Sequence, residues 1–228
     1  MIEGIAFSLA HDLYTEEFNQ VAKLLIYSYQ QMVENNEVLT SDHETYLRNI
    51  LVKKYLRNKD AKQKYDIGYL GFEIESGEID INNQTVGFID IKVLNLGNKD
   101  LLDEDEYYSI ECKRLDGEST KNNLYIKEGI NRYVNSKYSQ QMPFSAMVGF
   151  IESGITANIK DNINSSLIEN KYFQTYSSLL EYVFVADFKE TFVSKHERKN
   201  SQFTDIEIFH FLFDFQGLIK KEYPQHST

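Results

Sequence analysis

Between residue 15 and about residue 35, apolar side chains recur at Phe18, Val21, Leu25, Tyr29 and Met32. One every three or four residues is the period of a helix with a single buried stripe. Thr15 offers an N-cap oxygen, and Glu16 and Glu17 suit the first turn. A second helix is expected from Ser41, because Ser41 and Glu44 have the spacing of a capping box, and it continues through Tyr46, Leu47, Ile50, Leu51 and Tyr55 before ending ahead of Asp60. From 68 to 81 the period shortens to two, with Leu70, Phe72 and Ile74 on one face, which reads as a strand with a hairpin edge.

Two stronger strands follow, 86–94 (VGFIDIKVL) and 107–115 (YYSIECKRL), joined by an acidic, glycine-containing loop at 95–106. A helix is expected at about 122–136, a strand at 145–151, a helix at about 155–168, and further strands at 182–187, 191–196 and 206–215. This strand-helix-strand rhythm predicts an α/β fold, a central mixed sheet flanked by helices with extra C-terminal strands, in a single domain over residues 1–228. The core spans about 40–155, and the helix at 15–35 and the strands within 180–216 elaborate it. No internal repeat or low-complexity segment interrupts the pattern.

Composition narrows the picture. Sixteen Tyr and fifteen Phe supply a core, and two Pro leave little room for linkers. The lone Cys112 excludes an internal disulfide framework and a cysteine-based zinc cluster, so a reducing cytoplasm is expected. The opening run MIEGIAFSLAHDLY lacks the basic start of a signal peptide, and no stretch has the length of a membrane span. The net charge of -11 argues against a general polyanion binder, so any surface for nucleic acid must be local.

An acid, any residue and then Lys occurs six times, which makes the triplet uninformative alone. Only Asp90-Ile91-Lys92 and Glu111-Cys112-Lys113 lie inside apolar strands. Alternation puts Glu111, Lys113 and Ser109 on one face, and Asp90 on a face with Phe88 and Lys92, opposite Ile89, Ile91 and Val93. If the strands are neighbours, Asp90 and Glu111 converge. Two converging carboxylates repel each other, and a hard divalent cation, magnesium by preference, relieves the repulsion by taking oxygen ligands. Such a cation acidifies a bound water and stabilises charge on a phosphodiester, while a nearby Lys orients the nucleophile or assists its deprotonation.

GFIDIKV followed by YYSIECKRL resembles the PD-(D/E)xK nuclease superfamily, whose fold is that of many restriction endonucleases. The resemblance runs from Glu44 to about Ile151 and implies a divalent-metal-dependent nuclease acting on DNA, in bacterial defence or DNA processing. It implies Mg2+, with Mn2+ as substitute, bound by Asp90, Glu111 and the backbone carbonyl of Cys112, with Lys113 serving the attacking water. Ile89 stands where the family's proline does. A supplementary acid before these strands is expected at Glu44, whose rival role is the capping box with Ser41; Glu73 and Glu75 are weaker choices. The segment YIKEGINRYVNSKYS is similar to the helix and turn after the ExK strand in bacterial restriction-like proteins, and the late VSKHERKNSQFTDIEIFHFLFDF also has counterparts there. Many such nucleases act as dimers, so a homodimer or a partner subunit is expected.

Each signal has a plainer reading. Glu111 and Lys113 suit an ion pair on a solvated sheet, and Asp90 with Lys92 forms an alternative triplet if Glu78 or Asp80 joins it. Lys127, Arg132 and Lys137 among Tyr125, Tyr133 and Tyr138 can track phosphates and stack on bases, yet the same helix reads as amphipathic, burying Ile126, Ile130, Tyr133 and Val134. Cys112 suits the core rather than nucleophilic attack. His196, beside Lys195 and Arg198, reads as part of a basic cluster on a solvated edge, with phosphate binding or proton carriage as the alternative, and His210 as structural.

Overall fold

A computed structural model describes residues 2–79, 84–97, 106–201 and 203–220. Seven strands form one mixed sheet in the order β1-β2-β3-β4-β7-β6-β5. Strands β1 (Leu70–Ile79), β2 (Thr85–Asn95) and β3 (Tyr108–Leu115) make an antiparallel meander. A helical crossover then returns the chain to β4 (Phe144–Ile151), which runs parallel to β3, the connection that parallel neighbours require. Strand β7 (Asp205–Asp214) lies parallel to β4, β6 (Thr191–Glu197) pairs antiparallel with β7, and β5 (Thr175–Glu181) pairs antiparallel with β6 at the edge.

Helices cover both faces, so the inner strands β3 and β4 are buried along almost their whole length. On one face lie α1 (Ile2–Glu34) and α2 (Glu44–Ile50), the latter continuing as a π-helical segment (Leu51–Leu56), with α3 (Lys59–Lys64) beyond. Phe18 of α1 anchors this layer, its ring 5.0 Å from Phe144, 5.1 Å from Phe209 and 5.6 Å from Tyr108; each such pair adds about 0.5–1.5 kcal/mol beyond area burial. The other face carries α4 (Ser119–Tyr125), a π-helical segment (Ile126–Ile130), α5 (Asn131–Val134) and α6 (Thr156–Glu169), packed on Leu115, Met147, Ile151 and Leu212.

Three expectations change. Helix α1 begins at Ile2, so Thr15 lies inside it and is not its N-cap; no proline interrupts the preceding residues. The capping box is absent: α2 starts at Glu44 after His43, with no side-chain cap, and Ser41 Oγ instead accepts the His43 N–H at 3.1 Å. The segment 182–187 is not a strand. Its aromatics Tyr182 and Phe184 pack on Phe209 at 5.0 and 5.3 Å, and the edge pairing with β6 falls to the less apolar Thr175–Glu181. Asp80 lies outside the described residues.

The feature that creates a site is a parting of strands. β2 and β3 pair at Ile91–Ile110, Lys92–Ser109 and Val93–Tyr108, with no ladder pair at Asp90. There the Asp90 side chain takes over, Oδ2 accepting the Cys112 N–H at 2.9 Å. Ile91 and Val93 join the α1 side of the core while Ile89 packs into the opposite cluster, against the simple alternation expected for the three. Across β1, Glu75 adopts φ +54, a left-handed conformation that costs a non-glycine residue about 1–2 kcal/mol.

Candidate active site

Glu111 is fully buried in the middle of β3, and Lys113, two residues on, is nearly so. Four oxygens converge on the Lys113 ammonium: the Cys112 carbonyl at 2.8 Å, Glu44 Oε1 at 3.0 Å, Glu111 Oε2 at 3.5 Å and Asp90 Oδ2 at 3.7 Å. Asp90 and Glu111 therefore both face the Lys113 ammonium, across the gap between β2 and β3. The solvated ion pair considered for Glu111 and Lys113 is excluded by this burial.

Glu44 reaches the site because α2 packs on β3, and its second oxygen accepts the Arg114 N–H at 3.2 Å. That removes the capping-box role and sets the Glu44 carboxylate against Lys113 and the Arg114 N–H. One turn later on α2, Arg48 points the same way. Its guanidinium donates to Asp90 Oδ1 at 2.8 Å and reaches Glu75 Oε1 at 2.9 Å. From the opposite layer, Arg132 Nη1 donates to Glu111 Oε1 and Oε2 at 3.0 and 2.9 Å. Arg48 went unnoticed in the sequence, although its position four residues after Glu44 was the available signal. Glu73 is exposed and accepts from Ser76 rather than joining the cluster. Lys92 lies 3.9 Å from the Tyr107 ring centre and 3.9 Å from Glu78, the acid named for the alternative triplet, while Asp90 itself engages Arg48 and the Cys112 N–H.

Four carboxylates, Glu44, Glu75, Asp90 and Glu111, thus share three cations, Arg48, Lys113 and Arg132. Burial, and after it the charge of Asp90, lifts the Glu111 carboxyl to about 8 against the pull of Lys113 and Arg132. Burial pulls the Lys113 ammonium down, but Asp90, Glu111 and Glu44 together hold it well above its ordinary value. These three carboxylates hold it as a charged donor.

Oxygen donors of this kind suit a hard cation. Among the described residues, no three His, Cys, Asp or Glu side chains are grouped to hold a metal ion. The donor set is two carboxylates and the Cys112 carbonyl, each already engaged by Arg48, Arg132, Lys113 or the Cys112 N–H. A cation bound here would have to displace these partners and complete its shell with water. The Cys112 thiol is buried and pushed up by that burial, which removes it as a nucleophile.

The aromatic and basic helix is largely structural. Tyr125, Tyr133 and Tyr138 are fully buried, so none offers a face to a base, and the nucleic-acid contact expected of Tyr138 is corrected. The Tyr138 hydroxyl donates to the Phe88 carbonyl at 2.9 Å. Ile126, Ile130, Tyr133 and Val134 form the buried side, as the amphipathic reading held. Lys127 is exposed and Lys137 half-buried.

His196 is no solvated-edge residue: β5 covers β6, and both His196 and Arg198 are buried. Arg198 donates to the carbonyls of Tyr138, Ser139 and Met142, and burial lowers it to about 10.

Comparison with models of known protein families, with curated proteins and with solved structures yields no match. Among the described residues no helix is long and apolar enough to cross a membrane.

Proposed function

We infer that this protein is a divalent-metal-dependent nuclease with a restriction-endonuclease-like core, hydrolysing phosphodiester bonds, with DNA as its substrate. The observation that carries the reading is the convergence of Asp90, Glu111, Glu44 and the Cys112 carbonyl on one cationic point where β2 and β3 part. The mixed sheet with helices on both faces supports it, since the resemblance implies an α/β core of that kind.

Magnesium, or manganese in its place, held by Asp90, Glu111 and the Cys112 carbonyl, would supply a bound water of lowered pKa and charge to stabilise the phosphodiester. Lys113, locked in its protonated form, donates to the water or to a phosphate oxygen. Glu44 aims that ammonium by its 3.0 Å pair. Arg132 lies where a phosphate approaching Glu111 would meet it, and Lys137 and the exposed Lys127 are further cations of the same segment.

Purified protein is expected to cut DNA with magnesium or manganese and not with chelator. Asp90→Ala and Lys113→Ala should each abolish cutting while the fold persists. Equal inactivity of wild type and variants on DNA and RNA would remove the reading.

A second reading, a non-cleaving nuclease-fold module that binds nucleic acid or a protein partner, is favoured by one observation: every acid of the cluster already has a cationic partner within the chain. Calorimetric titration with magnesium separates the two. The nuclease takes the metal up and loses it in Asp90→Asn; the module ignores it.

A further inference from the structure

Arg132 differs from the other cations of the cluster. The side chains of Arg48 and Lys113 are 3% and 10% exposed, whereas that of Arg132 is 29% exposed. It comes from the helix layer, and spends a single nitrogen, Nη1, on both Glu111 oxygens. Among the described residues, no protein acceptor engages its Nη2 or Nε, and no carboxylate engages Lys137 Nζ, which stands 5.5 Å from the Tyr138 ring centre. A cation with unused N–H donors therefore stands against a fully buried carboxyl group, with Lys137 on the same helix-and-turn segment. The arginine side chain is long enough to leave Glu111 by rotation about its own bonds.

Resting on the nuclease reading, we propose that Arg132 is an exchangeable counter-ion: it leaves Glu111 for the phosphodiester when a divalent cation takes Glu111, so the cation and the phosphodiester bind cooperatively. Either ligand alone meets a penalty. A cation arriving alone strands the Arg132 guanidinium beside it without an anion. A phosphodiester arriving alone draws Arg132 off a buried carboxyl group and leaves it with Lys113 alone, 3.5 Å away. When both arrive, every charge keeps a partner, and the coupling is the same whichever comes first.

The test is calorimetric titration of Mn2+ into wild type, R132M and R132K, each with and without dimethyl phosphate, with melting curves to establish folding. In wild type, saturating dimethyl phosphate should tighten Mn2+ binding by about tenfold, within the ordinary range of coupling. R132M should bind Mn2+ about tenfold more tightly than wild type without the phosphodiester, since no charge-assisted hydrogen bond has to be broken, and should show no response to it. Equal Mn2+ affinity in wild type and R132M, or a phosphodiester response that survives in R132M, overturns the proposal and leaves the nuclease reading standing. If no folded protein takes up Mn2+, the metal site itself is removed and this exchange with it. Should R132M fail to fold, R132K decides: its single ammonium should couple more weakly than wild type, and equal coupling overturns the exchange.

Discussion

Glu44 Oε1 stands 3.0 Å from Lys113 Nζ although 69 residues separate them, and the other oxygen of the same carboxylate accepts the Arg114 N–H. One side chain thereby ties α2 to β3 and fixes the direction of the ammonium. A capping role would have spent that carboxylate on its own helix.

Glu44→Gln keeps the size of the side chain and an acceptor for Arg114 while removing the charge. DNA cleavage should fall by about 10–100-fold, the usual cost of losing a group that orients a site residue, with the melting temperature nearly unchanged. Ser41→Ala should alter neither. A melting temperature that drops for Ser41→Ala, with cleavage intact in Glu44→Gln, would return Glu44 to the cap.

Asp90→Ala should cost about 3 kcal/mol in urea unfolding, because it leaves the buried Arg48 guanidinium with the exposed Glu75 as its one carboxylate and the neutral Asn49 amide oxygen. Adding Arg48→Met to Asp90→Leu should restore more than half of that, since an apolar pair of similar volume carries no desolvation cost. Additive losses in the double variant would show that the two residues are not coupled.

The buried histidines predict a pH dependence. Tyr125 Oη meets His210 Nδ1 at 2.8 Å, Ser194 Oγ meets His210 Nε2 and His196 Nε2 at 2.7 Å each, and His196 Nδ1 meets Thr175 Oγ1 at 3.1 Å. Ser194 has one proton, so one imidazole donates to it and the other accepts. Burial lowers His196 to about 3 and His210 well below its ordinary value. Both folded pKa values lie below the unfolded 6.5, so the unfolded chain binds more protons as pH falls. Their contribution is complete above about 6.5 and is lost below it, down to about 3 for His196, at a slope approaching about 1.4 kcal/mol per pH unit for each ring. Urea unfolding at pH 7, 6 and 5 reads this directly, and His196→Gln should flatten the slope. Stability that stays level from pH 7 to 5 contradicts it.

At Gly129 the helix meets the sheet so closely that a Cβ would stand 2.3 Å from Met147 Cε and 3.8 Å from Lys113 Cγ. Gly129→Ala should destabilise by about 1–3 kcal/mol and draw Arg132 back from Glu111. Met147→Ala in the same chain should recover part of the loss. A neutral Gly129→Ala, measured by thermal melting, would mean that the methionine moves aside freely.

Much of the fold was legible because burial imposes local periods. The three strands around Phe72, Asp90 and Glu111 and the stripe from Phe18 to Met32 could be read from spacing alone. Tyr182 and Phe184 misled for the same reason: their apolar character signals burial, and packing on Phe209 satisfied it without a strand. Tyr138 and His196 misled in the opposite sense, since a polar tip does not reveal that tertiary neighbours have covered the ring.

The chain's pattern of side chains determined that Glu111 and Lys113 share one face of an inner strand, because alternation within a strand is a local rule. Only the tertiary structure decided which charges meet them. Arg48, Glu75 and Arg132 come from three other elements, brought in by helix packing and by the parting of β2 from β3, and a sum of long-range contacts has no local signature in sequence.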